Sequence, residues 1–171
     1  MINLVQQTNE HDSHLACLAM LLGKNLKTID LLIVFLGSAL SKSNRPKIVE
    51  ILDELGIQFE CPTTYGHKLD KEFIYIYYVP NLNLYVDADD YVWDCILVEG
   101  NEDSYTIYDS NAGRTGKLFY ANMVDAVIAG EENARPLSYY KILARINKQH
   151  LMECREETHD KNCAKFFSNR L

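Results

Sequence analysis

Gln7-Thr8-Asn9-Glu10-His11-Asp12-Ser13-His14-Leu15-Ala16-Cys17-Leu18-Ala19-Met20-Leu21-Leu22-Gly23 reads as a polar loop followed by a buried helix. Leu15, Leu18, Ala19 and Leu22 recur at helical spacing. Asp12 suits an N-cap and Gly23 a C′ residue, so start and stop signals agree with the period. Ser13 then falls in the first turn, where unpaired N–H groups and the helix dipole favour negative charge. A nucleophile placed there has its anion stabilised. An ordinary capped core helix has the same pattern, so the decision rests on the remainder of the chain.

At 171 residues the chain is long enough for one domain with a substantial core. Its 47% apolar and 24% charged residues are globular values. A net charge of −7 with no basic stripe argues against a nucleic-acid partner. No apolar run approaches a membrane span; Leu31 to Leu36 is short and reads as buried helix. The first residues lack the charged region, apolar run and cleavage site of a secretory signal. Five cysteines, an odd number without framework spacing, suit reduced thiols in a cytoplasmic chain. Export as an effector by a route needing no signal peptide stays open. No cofactor motif is present, and the oligomeric state is not legible.

Ile2 to Val5 suits a short strand. Thr28 to Leu40 reads as a helix apolar on most sides, hence packed on both. Ser43 or Asn44 caps a third helix with Pro46 in its first turn. Ile48, Ile51, Leu52 and Leu55 follow at helical spacing, and Gly56 ends it. After Pro62 the pattern changes. Phe73 to Val79 is β-branched and aromatic, a strand that Leu82 to Val86 would pair with. Tyr91 to Val98 and Ser104 to Tyr108 flank a turn at Gly100 to Asp103. A short strand at Lys117 to Phe119, a helix at Ala121 to Ala129, a strand at Leu137 to Ile146 and a helix from Asn147 to Phe167 complete the chain. Helices first and an antiparallel sheet second make the class α+β.

Gln7, five intervening residues and Asp12-Ser13-His14-Leu15-Ala16-Cys17-Leu18-Ala19-Met20 resemble the start of the bacteriocin-processing, double-glycine peptidases. These are papain-like cysteine peptidases, often fused to peptide-exporting ABC transporters. Their pattern is a Gln, five residues, a catalytic Cys in D-C-G-x-A-C-L-A-M, then a distal His and Asp. Here Ser13 stands at the Cys position and His14 at the Gly. Trp93-Asp94-Cys95-Ile96-Leu97-Val98-Glu99-Gly100 resembles the family's H-x-[VI]-[VL]-[VL]-x-G strand, with Asp94 at the His. Ser104 to Gly113 resembles the next strand and its D-P-x-x-G turn, with Asp109 on the Asp and Ser110 replacing the Pro. The resemblance covers roughly residues 4 to 146. It implies a papain-like two-lobed domain over 1–146, with N-terminal helices packed against a C-terminal antiparallel sheet. Residues 147–171 would be a helical extension packed on the same domain.

The implied site is Gln7, Ser13, Asp94 and Asp109, and it is degenerate. A thiol with pKa of about 8.5 is within reach of tuning, whereas a serine hydroxyl needs a base during attack. The base position holds a carboxylate, with a free pKa of about 3.9 against about 6.5 for His. It is a poor base and, ionised, no acid for a leaving amine. Peptidase chemistry by the family's mechanism is not expected. The expected function is a degenerate homologue, a pseudopeptidase, that holds a peptide or protein segment in trans, with Gln7, Asp94, Asp109 and Trp93 at the cleft. The alternative is an active peptide or amide hydrolase using Ser13, or a chain whose Ser13 replaces a catalytic Cys by engineering. A rebuilt site would draw on Cys17 or Cys95 with His11, His14 or His67, although free cysteines are usually buried hydrophobes.

Two further patterns have plain readings. His150 and Cys154, and His159 and Cys163, each lie four apart on a helical face, as metal ligands do. Nine residues of unbroken helix turn the second pair by about 180°, so a shared metal would need a break near Thr158, and a surface helix docking Leu151, Phe166 and Phe167 is the plainer expectation. Tyr75, Tyr77, Tyr78, Tyr85, Tyr91 and Trp93 suit cross-strand packing in a sheet, or alternatively the wall of a peptide groove.

Overall fold

The computed structural model describes residues 2–8, 12–40, 48–62, 69–80, 93–102, 105–111, 119–120, 135–137 and 140–157. The class is α+β. Helices α1 (Ser13–Leu22), α2 (Leu26–Leu40) and α3 (Ile48–Glu54) come first. Strands β1 (Phe73–Pro80), β2 (Trp93–Gly100), β3 (Tyr105–Tyr108), β4 (Phe119–Tyr120), β5 (Arg135–Pro136) and β6 (Lys141–Asn147) follow, and α4 (Lys148–Glu157) leaves β6 without a loop. An antiparallel sheet has the order β3-β2-β1-β6, and β4 and β5 form a separate parallel pair. No described helix is long and apolar enough to cross a membrane.

Both faces of the sheet are covered, which is why β1 reads as an uninterrupted apolar run. Alternation sends Ile74 and Ile76, with Cys95 and Leu97 of β2, into a core shared with α1 and α3. Tyr75, Tyr77 and Val79, with Ile96 and Val98, enter a second core with Leu137 and Ile142. Tyr75 and Tyr77 are thus buried packing residues, and the Tyr75 hydroxyl accepts the Asp70 N–H at 2.7 Å. Tyr78 instead reaches the surface.

Several expectations change. Asp12 makes no side-chain cap to α1; Thr8 Oγ1 donates to its Oδ2 at 2.5 Å. Gly23 does end α1, at φ +62°, with the Lys24 N–H returning to Ala19 O at 2.9 Å. α2 begins at Leu26 rather than Thr28, because Asn25 Oδ1 accepts the Thr28 N–H at 2.9 Å. It is not packed on both sides: Leu31 and Val34 are 57% and 68% exposed. Ile2 to Val5 forms no strand, although Ile2 is buried in the helical core. β1 is flanked by β2 and β6, whereas the partner expected for it was the segment Leu82–Val86. That segment, Tyr85 and Tyr91, the Ser43, Asn44 and Pro46 cap and the Ala121–Ala129 helix lie outside the described residues.

α4 packs on the same core as α1. Leu151 is 2% exposed within it. The guanidinium of Arg155 reaches the C-terminal turn of α1, where Nε donates to Leu21 O and an Nη to Met20 O, each at 2.6 Å. A cation satisfies those carbonyls and opposes the helix dipole there.

Candidate functional site

Residues far apart in sequence meet at the N-terminus of α1. Ser13 is 4% exposed, and its Oγ accepts the Cys95 N–H at 3.1 Å, which ties α1 to β2 beside Asp94. The Gln7 N–H donates to Ser110 O at 2.9 Å, and Ser110 Oγ donates to Gln7 Oε1 at 2.8 Å. The loop before α1 is thereby fixed to the turn after β3. Asp109 shapes that turn by accepting the Asn111 N–H at 3.1 Å.

Gln7, Ser13, Asp94 and Asp109 are therefore gathered in one region, but not as a nucleophile with its base. The described partner of the Ser13 hydroxyl is a backbone donor, not a carboxylate. The register partner of Asp94 is Val79, a residue of the second core. Alternation along β2 accordingly gives Cys95, rather than Asp94, to the α1 side. Asp94 is 1% exposed, whereas Asp109 and Gln7 are half-buried. The backbone of Trp93 opens β2; its side chain is outside the described residues.

No family model matches the chain, and no curated protein or solved structure matches it.

The electrostatics of the region oppose thiolate chemistry. Burial, then the neighbouring Cys95, Asp109 and Asp94, push the Cys17 thiol well above its ordinary range. Burial and then Asp94 push Cys95 up to about 12. Catalytic thiols are tuned in the opposite direction. His14 sits half-buried on α1, and His11 and His67 lie outside the described residues. Each raised thiol contributes stability that is fully present below its unfolded pKa and is lost as pH rises toward the folded value. Denaturant midpoints are expected to fall between pH 9 and pH 11, and Cys95→Ala to flatten that fall. A flat profile in the parent chain would count against buried, neutral thiols.

At the other end of the chain, His150 and Cys154 do touch, with Sγ 3.4 Å from Nε2. Nε2 also accepts the Gln58 N–H at 2.9 Å. Among the described residues no group of three or more His, Cys, Asp or Glu is arranged to hold a metal; His159 and Cys163 lie outside them.

Sequence reading missed two participants. Ser110 is 1% exposed and anchors Gln7. A hydroxyl in place of a turn proline was a usable signal, because a buried hydroxyl requires a partner. The Cys95 N–H left no signal, since a backbone donor is independent of side-chain identity.

Proposed function

We propose that this chain is a catalytically degenerate relative of the double-glycine peptidases, with their papain-like arrangement, that holds a peptide or protein segment without cutting it. The observation that carries the reading is that Asp94, a carboxylate at the family's imidazole position, lies in register with Val79 of the second core and is turned by the pleat away from α1. An attacking hydroxyl must hand its proton to a base, and Ser13 Oγ, which keeps its own proton while accepting the Cys95 N–H, is not paired with one among the described residues. The convergence of Gln7 and Asp109 on the same region supports an inherited cleft. Loss of transition-state groups leaves backbone hydrogen bonds and cleft walls able to engage a ground state. Asp109, half-buried at the turn after β3, supplies the negative charge of the region. The partner is a segment bearing Lys, Arg or a free amine, met in trans in the cytoplasm.

The test combines activity-based serine and thiol probes with binding of lysine-bearing extended peptides. Neither probe labels the region, no peptide is cleaved, and binding weakens with salt and with Asp109→Asn. Labelling abolished by Ser13→Ala would establish a hydrolase instead. Binding untouched by both Asp109→Asn and Gln7→Ala would move the relevant surface elsewhere.

A further inference from the structure

The described cysteines differ in what surrounds them. Cys17 and Cys95 are buried in the helical core, at 0% and 5% exposure, with their thiols pushed up. Cys61 is exposed. Cys154 is half-buried and lies one helical turn beyond His150, whose Nε2 is 3.4 Å from its sulfur and whose Nδ1 is 4.0 Å away.

The state of that imidazole follows from its other contact. Nε2 accepts the Gln58 N–H at 2.9 Å, so in the neutral ring Nε2 is the nitrogen without a proton. The ring's place is set from the backbone as well, because the His150 N–H donates to Asn147 Oδ1 at 3.2 Å. The Cys154 thiol lies beside that nitrogen and competes with the Gln58 N–H for its single lone pair, so the imidazole serves as the sulfur's base when the Gln58 N–H is released. Gln58 is exposed, so its N–H turns to water when Nε2 takes a proton.

We propose that Cys154 is a thiol-modification site for small disulfides, with His150 as its base. The Cys154 S–H proton passes to His150 Nε2 as the sulfur attacks one sulfur of a disulfide R–S–S–R. The S–S bond breaks, and the departing thiolate takes the proton from the imidazole. The products are a Cys154–S–S–R mixed disulfide and R–SH; the small disulfide is the oxidant and Cys154 is oxidised. The adduct forms where Leu151 and Arg155 hold α4 to α1.

The experiment exposes the folded chain to oxidised glutathione at neutral pH, quenches with acid and maps adducts by mass spectrometry. Cys61 serves as the exposed comparator within the same molecule. Cys154 is expected to react about tenfold faster than Cys61, a modest general-base contribution. His150→Gln keeps a polar side chain but no base, and is expected to bring Cys154 to the Cys61 rate or below. A parent chain in which Cys154 reacts no faster than Cys61 overturns the proposal without any variant. An advantage that survives His150→Gln overturns it equally.

Discussion

Gly100→Ala is expected to lower the unfolding free energy by about 3 kcal/mol. A methyl group there would stand 2.2 Å from Asp70 O and 2.7 Å from Asp70 C. The obstruction is backbone rather than a side chain able to rotate. Nor is the Asp70 turn free to retreat. Its carbonyl accepts the Phe73 N–H at 3.1 Å, its N–H is held by Tyr75, and its Oδ1 accepts the Glu72 N–H at 3.0 Å. Gly100 is pinned from its other side, where Lys148 Nζ donates to Gly100 O at 2.6 Å and pairs with Glu99 at 3.2 Å. Denaturant unfolding measures the loss. A cost below about 1 kcal/mol would mean that this end of the sheet yields far more readily than packed structure usually does.

Arg155→Ala is expected to cost about 2 to 3 kcal/mol, the range for losing hydrogen bonds made by a charged group. Leu21 O and Met20 O lose the guanidinium, Met20 O keeping only the long Gly23 N–H contact at 3.4 Å, and the C-terminus of that helix loses its cation. Arg155→Lys restores the charge but not the planar pair of donors, so it recovers only part of the loss. Thermal melts of the three proteins give the order parent, Lys, Ala. An Ala variant within about 0.5 kcal/mol of the parent would show that water replaces the guanidinium at little cost, as at most surface positions.

What could be read from sequence divides along physical lines. α1, the end of α3 at Gly56, β1, β2 and β6 were legible because periodicity and local stop signals are properties of neighbouring residues. The Asp12 cap was misread because Thr8 offers the carboxylate a competing hydrogen bond. The pairing of β1 with β6 was not legible, because its register joins residues far apart in sequence. At the candidate site, the loop at Gln7 meets the turn of Asp109 through Ser110, a contact between residues far apart in sequence. The contact between Ser13 and Cys95 was not legible, since it depends on which residue the pleat turns toward α1. The contact of Arg155 with the end of α1 was not legible, for a sequence does not say which helix end lies within reach of a long side chain.

The placement of β1 between β2 and β6 has a consequence for how the protein is made. The register joins Ile74 to Ile146 and Phe73 to Asn147, so the central strand keeps one side open until the ribosome has produced β6. Contacts of such long sequence separation form late, after the loop-closure cost has been met. α4 then follows at once, and with it the cap on the end of α1. During synthesis the nascent chain thus carries an apolar strand with an unsatisfied edge, the state in which β-rich intermediates self-associate. Its vulnerable period is the interval between the emergence of residue 80 and that of residue 147, which makes the speed of translation across that interval a determinant of yield.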